Sequence, residues 1–363
     1  MLLYGRLASI LEEIGRAVRG EKADIACKFL ADLDETDLCP SIRLLVGRLW
    51  PYWELREMGL GQKIMLNVLA EISLDDVQLL MENAGEMGSV TEAALMRKSQ
   101  KLLRFCELDT MSVYKDLLRI SDQAGPGSDC RKAAILRGLL LEASPIEGKY
   151  ISRAVMGNTV AGLGLRTMTS AISEAFGYSN DTVEKAYSFM PDIGMIALAA
   201  LKRRLDNITI EPPRPIKFNQ LRKDDTTFQE AYLQRYPGLR VQIHSIENKF
   251  YAYTARLKNI TPALAVLFRD LKINHDFVAE AVLVGSQDGG MLNQRDIIRY
   301  INRRQLSRRS SINPALIVFD LFYIDGEDLT ECGYAERRKH MISLLGAPKA
   351  FPFEGISAAE EII

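Results

Sequence analysis

Glu211-Pro212-Pro213-Arg214-Pro215 separates two stretches of this chain that follow different periodicities. Proline has no amide hydrogen and pushes its predecessor toward extended backbone, so this segment cannot continue a helix. Upstream, from Leu2 to Leu205, apolar residues recur at helical spacing, as in Leu7, Ile10, Leu11, Ile14 and Val18, or Val113, Leu117, Leu118 and Ile120. Breaks at Asp34–Pro40, Gly59–Gly61, Gly85–Gly88, Gly125–Ser128 and Gly177–Asp181 divide this half into roughly ten to twelve helices. Thr36, Ser73 followed by Asp76, Thr91, Ser128 and Asn180 are the candidate N-caps. Downstream, short apolar or alternating runs at Leu239–Ser245, Phe250–Ala255, Phe277–Val284 and Ala315–Tyr323 predict strands. Turn-like pairs and glycines separate them, and helices are expected over Pro262–Leu271, Arg295–Arg304 and Tyr334–Leu345. The expected fold is multidomain, α then α+β. An all-helical domain covers 1–208, a linker 209–216, and a domain of antiparallel sheets and helices 217–363.

The bulk composition agrees with two folded cores. Single cores rarely grow past about 250 to 300 residues, and this chain has 363, with 47% apolar and 26% charged residues. Cys27, Cys39, Cys106, Cys130 and Cys332 are scattered without a CxxC pair, so the expectation is buried thiols and no metal site. No run of 18 apolar residues is present, and Met1–Leu11 carries Arg6 without a cleavage pattern. A cytoplasmic protein with no membrane contact is expected. The formal charge of −1 averages over local asymmetry, and one basic face is enough for nucleic acid.

Three stretches carry that asymmetry. In Gly125-Pro-Gly127-Ser128-Asp-Cys-Arg131-Lys132 a glycine-rich turn leads into a helix whose first amides, with two cations, suit a phosphate. An ordinary interhelix turn with solvated charges has the same sequence pattern. Lys149, Arg153 and Arg166 around Gly157–Gly164 leave the same two readings open. Arg295 to Arg309 is the densest patch, with six arginines against one acid. On a helix Arg295, Arg299 and Arg303 share a face, with Arg304 beside it, while Ile297, Ile298 and Ile301 supply the core side. A polyanion is the expected partner.

Longer motifs point further. The helical half contains Arg48-Leu-Trp-Pro51, Gly85-Glu-Met-Gly88, Gly125-Pro-Gly-Ser128, Pro145-Ile-Glu-Gly-Lys-Tyr-Ile-Ser-Arg153 and Ala171–Phe176. The second half contains Pro215-Ile-Lys-Phe-Asn-Gln-Leu221, Arg235-Tyr-Pro-Gly-Leu-Arg-Val-Gln-Ile-His244, Thr254–Thr261, Val278-Ala-Glu280 and Val318–Leu329. In this order they resemble the ATP-dependent DNA ligases of archaea and eukaryotes. The resemblance implies a DNA-binding domain followed by a nucleotidyltransferase (adenylation) domain. It also implies ATP and magnesium as cofactors, double-stranded or nicked DNA as ligand, and replication or repair proteins as partners.

In that family a lysine attacks the α-phosphate of ATP, and the enzyme-bound AMP passes to the 5′-phosphate of a nick. The signature Lys-Tyr-Asp-Gly-x-Arg-x-Gln-x-His aligns that lysine with Arg235, and a guanidinium offers no free lone pair for attack. The family's glutamate two places earlier is Leu233, and its aspartate two places later is Pro237. The resemblance places Arg240 and Arg256 near the nucleotide phosphates and ribose, Glu280 at the carboxylate of an Asp-Gly-Glu motif, and Phe319 beside the adenine. The Asp and Gly of that motif are Val278 and Ala279, and Val160 stands where the DNA-binding half usually has an arginine. Phe353-Glu-Gly-Ile-Ser357 opens like the next family motif without its lysine, and Ser357–Glu361 resembles the helix preceding that motif. The expectation is therefore a partial adenylation domain with no OB-fold. The leading function is a ligase-like DNA-binding protein of replication or repair, without a catalytic residue. The alternatives are an active ligase using another lysine, such as Lys217 or Lys223, or a partner chain, and a protein-interaction scaffold without DNA binding.

Overall fold

The computed structural model describes residues 1–99, 107–158, 163–217, 232, 233, 235–302, 312–346 and 355–362. Met1–Pro51, Leu55–Tyr187 and Asp192–Asn207 form one compact unit; Tyr52–Glu54, Ser188–Pro191 and Ile208–Ile363 form the other.

The first unit is helical. Its described helices are α1 (Tyr4–Arg16), α2 (Lys22–Ala31), α3 (Glu35–Leu45), α4 (Gln62–Ile72), α5 (Val77–Ala84), α6 (Met87–Met96), α7 (Thr110–Asp122), α8 (Ser128–Glu142), α9 (Pro145–Val155), α10 (Leu165–Phe176), α11 (Asn180–Phe189) and α12 (Ile193–Leu201). Their apolar stripes meet in a core that includes Leu7, Leu11, Ile14, Leu30, Leu69, Val113, Leu117 and Ile120, all buried. Several caps lie earlier than the sequence suggested. Asp34 accepts from the amides of Thr36 and Asp37, and Glu86 from those of Gly88 and Ser89. Thr91 is buried inside α6, its hydroxyl donating to Met87 O at 2.9 Å. In both helices a carboxylate at the break bonds two first-turn amides at once, which the later hydroxyl does not do.

α9 starts with Ser144 and Glu147 in a capping box and Pro145 in the first turn. It packs against α6 through two glycines. A Cβ on Gly88 would stand 2.7 Å from Arg153 Nε, and one on Gly148 2.2 Å from Leu95 Cδ1.

The second unit is built on a sheet. Its strands are β1 (Tyr232–Leu233), β2 (Leu239–Ile246), β3 (Lys249–Thr254), β4 (Phe277–Gln287), β5 (Gly290–Met291), β6 (Asn313–Ile324), β7 (Glu327–Asp328), β8 (Gly355–Ala358) and β9 (Glu361–Ile362). The main order is β3-β2-β4-β6-β7, with β5 on β4 and β8 on β6; β1 and β9 form a separate pair. All pairs are antiparallel except β6 with β8. One sheet face, with Ile243, Phe277, Ala279, Ala281, Leu283, Leu316 and Leu321, joins a core with Leu267, Ile297 and Met341. Those three come from α13 (Ala265–Arg269), α14 (Gln294–Asn302) and α15 (Tyr334–Leu345).

Alternation places Val278, Glu280 and Val282 on the other side of β4. Register shifts occur between Val278 and Ala279 and between Glu280 and Ala281, so Phe322 and Phe319 on β6 have no direct cross-strand partner. The chain from Ile208 belongs to this unit, with Ile210 and Ile216 buried against Phe189, Val278 and Phe322. The helix-like reading of Ser357–Glu361 is overturned. Ile356 and Ala358 are buried in the sheet core, Gly355–Ala358 runs parallel to β6, and Glu361–Ile362 pairs with β1. Gly355, at φ 66, adopts the left-handed turn that starts this strand.

Candidate functional site

The sheet brings together three of the residues singled out for nucleotide recognition. Arg240 on β2 donates through Nε to Glu280 Oε1 on β4, and its guanidinium carbon lies 5.7 Å from the centroid of the Phe319 ring. Glu280 is buried, whereas the Arg240 side chain is 39% exposed, so the pair has one wet end. Phe319 reaches this face by alternation with Ala315 and Ile317 along β6, and the bulge follows directly, bringing Asp320 rather than Phe319 into register with Glu280. That bulge is braced from behind: Asp320 is buried and takes a two-pronged bond from Arg337 on α15, Nε to Oδ1 at 2.8 Å and Nη2 to Oδ2 at 3.0 Å. The Arg337 guanidinium lies 5.4 Å from the Phe322 ring and 5.8 Å from the Tyr334 ring. Nothing in the sequence marks Asp320 and Arg337 as partners, because only the fold puts position 337 beside position 320.

Arg256 is exposed in the loop after β3. Register pairs Thr254 with Val241, which puts this loop at the Arg240 end of β2. The loop is closed by Leu257 N donating to Thr254 O at 2.7 Å and Thr254 N to Lys258 O at 2.9 Å. Leu257 sits at φ 64, a strained conformation for a side chain of this size.

Arg235 is exposed, on the stretch leading into β2. Gly238 fixes that approach, since a Cβ there would meet Leu283 O at 2.4 Å and Val282 Cγ1 at 2.5 Å. Tyr236 packs on the cluster of Val284, Ala315, Ile317 and Ala359, and its hydroxyl accepts from Glu360 N at 3.3 Å. In kind, an aromatic ring, two guanidinium groups and a carboxylate at one end of a sheet fit a nucleoside and its phosphates. Position 235 does not fit phosphoryl transfer to the protein, for lack of an attacking lone pair.

The signature's other end faces the entering chain. Gln242 bonds the backbone of Ile216, and His244 lies behind it, fully buried, with burial holding its pKa down at about 3. The sequence contained both residues in the signature but gave no sign of their partners.

In the helical unit, the cations singled out for phosphate mostly have partners within the domain. Gly127, at φ 74, leads into α8 at Ser128. Arg131 folds back on the turn, donating to Gln123 Oε1, Pro126 O and Ala124 O. Lys132 is buried and donates to Met58 O at 2.8 Å. Lys149 is bound between Glu12 at 2.8 Å and Glu92 at 3.1 Å. Its hydrogen bond is the main cause of a Glu12 pKa near 2. Arg153 pairs with Glu86 at 3.1 Å. Arg166 is exposed at the start of α10. Arg299 on α14 is 73% exposed beside Asp296. Val160, Lys223, Arg303 and Arg304 lie outside the described residues. No described helix is long and apolar enough to cross a membrane.

Comparison with known proteins accounts for both units. Residues 3–173 match the family described as DNA ligase N terminus, and residues 217–361 the ATP dependent DNA ligase domain. The chain belongs to the ATP-dependent DNA ligase family. It is 30% identical over 350 residues to a DNA ligase of Methanoculleus marisnigri, covering 92% of this chain and 64% of that protein. It is 29% identical over 368 residues to the DNA ligase of Methanocaldococcus jannaschii, covering 95% of this chain and again 64% of the relative. The chain thus spans slightly under two thirds of the length of these relatives. A solved structure described as Pmar-Lig_PreS3 superposes with a TM-score of 0.46 at 14% identity, covering 98% of this chain and 66% of that one.

Proposed function

We propose that this chain is a DNA ligase-like protein that holds nicked or intact duplex DNA in replication or repair and does not adenylate itself. The observation that carries the second half is Arg235 at the position of the family's nucleophilic lysine. Covalent catalysis has no substitute for its attacking atom, and burial tunes a lysine but not an arginine. Pro237 and Val278 stand where the family has carboxylates; Pro237 removes a polar group two positions from Arg235, and Val278 is buried beside the entering chain. Residual, non-covalent nucleotide recognition by Arg240, Glu280 and Phe319 is compatible with this reading. Family membership and the exposed arginines of α14 support the DNA-binding half, with phosphate contacts supplying sequence-independent affinity.

The test is incubation with labelled ATP and magnesium followed by a denaturing gel, with nicked-duplex binding measured across a salt series. The expected result is no AMP adduct and an affinity that falls as salt rises. An adduct, mapped to Lys217, Lys223 or any other residue, overturns the non-adenylating reading. A flat or absent binding response overturns the DNA-binding one and favours a protein-interaction scaffold.

A further inference from the structure

The segment that enters the sheet domain has a hydrogen-bonding problem. Pro212, Pro213 and Pro215 supply no amide hydrogens, so residues 211–216 cannot join a β-ladder, yet their carbonyls still need donors when buried. Side chains of the sheet fill the role. Gln242, in the middle of β2 and 3% exposed, accepts at Oε1 from Ile216 N at 3.0 Å and donates from Nε2 to Ile216 O. This is the pair of bonds a neighbouring strand would make. Tyr253, on β3, donates its hydroxyl to Pro213 O at 2.8 Å.

His244 stands behind both. Its ring is edge-on to Tyr253, with centroids 5.2 Å apart, and its Nε2 lies 3.3 Å from Gln242 Oε1. Since the bonds to Ile216 fix which end of the carboxamide is oxygen, His244 Nε2 must carry the proton and donate. Further bonds lie alongside: Lys217 N donates to Ser188 O at 2.7 Å and Arg214 Nε to Phe189 O at 3.2 Å.

We propose that Gln242 and Tyr253, oriented by His244, form a latch that fixes Pro213–Ile216 on the sheet. The Gln-x-His end of the 235–244 signature then has a structural task separate from the end that meets nucleotide. It stays intact when residue 235 is no nucleophile, and it sets the direction from which the chain enters the sheet domain.

Hydrogen–deuterium exchange on the full chain tests this, read on the peptide spanning Arg214–Lys217. Gln242→Met keeps the side-chain volume and removes both bonds. It is expected to speed exchange there about tenfold while β4 and β6 keep their protection. Exchange at 214–217 unchanged from wild type overturns the latch. If Gln242→Met also exposes β4 and β6, Tyr253→Phe decides, since it removes a single hydroxyl: faster exchange confined to 208–217 supports the latch, and no change overturns it. An AMP adduct on the wild-type chain bears on the proposed function alone and leaves this inference standing.

Discussion

Gly148 in α9 and Leu95 in α6 approach so closely that a Cβ on residue 148 would stand 2.2 Å from Leu95 Cδ1 and 3.2 Å from Thr91 Cγ2. The glycine is there for contact, since its φ needs no special freedom. Gly148→Ala is expected to push α6 and α9 apart and cost about 1–3 kcal/mol, the usual range for overpacking. Gly138, exposed on α8 with nothing within 4 Å of its Cβ position, is the control. Gly138→Ala should stabilise by about 0.5–1 kcal/mol through helix propensity. Thermal or urea melts compare the two; equal or higher stability for Gly148→Ala would contradict the close packing.

His244 makes the sheet domain sensitive to acid. Burial lowers its pKa from 6.5 to about 3, so between those values the unfolded chain takes up a proton that the folded chain refuses. The stability contribution is complete above pH 6.5 and is lost as pH falls toward 3. Across the interval from pH 6.5 to 5 this amounts to on the order of 2 kcal/mol. His244→Phe has nothing to titrate there, so its stability should fall less over the same interval than that of wild type. Parallel slopes in urea titrations at pH 7.5, 6 and 5 would rule the effect out.

The fold was legible to the extent that its causes are local. The proline cluster, the 3.6-residue period and the alternating runs each reflect bonding within a few residues, so Tyr334–Leu345 emerges with the expected bounds. Ser357–Glu361 resembles a helix in sequence because its strand depends on β6, some forty positions earlier, and a run this short carries little period of its own. Of the candidate site, the motif singles out Arg240, Glu280 and Phe319, which the fold brings into contact. Asp320–Arg337 and Gln242–Ile216 were not legible, since each partner is specified only by the folded sheet. Sequence also weighs all basic side chains alike. Only the structure separates Lys149, bound by Glu12 and Glu92, from exposed Arg299.

That separation has an experimental consequence. Lys149→Met leaves Glu12 and Glu92 facing each other without their shared cation and is expected to cost about 2 kcal/mol, discounted from a fully buried pair because both carboxylates are partly wet. It should leave the salt dependence of duplex binding unchanged. Replacing Arg299, Arg303 and Arg304 together by Gln should do the reverse, keeping the melting temperature while weakening binding and flattening the slope of log affinity against log salt. If the triple variant keeps the wild-type slope, this basic stretch faces away from DNA. If Lys149→Met flattens it, the lysine exchanges its carboxylates for phosphate.

Restoring the family's lysine at position 235 tests how far the site has drifted. Gly238 and the Arg240–Glu280 pair still shape the entry to β2, so a lysine there would follow a similar path. What it would lack is its surroundings: Leu233 in place of a glutamate and Pro237 in place of an aspartate. Nucleophilic lysines depend on neighbouring charge and positioning for their free amine and for the metal-bound triphosphate. Arg235→Lys is therefore expected to give no AMP adduct with labelled ATP and magnesium. Arg235→Lys combined with Leu233→Glu and Pro237→Asp is the first variant in which an adduct is expected. An adduct in the single variant would mean that one side chain separates this protein from self-adenylation.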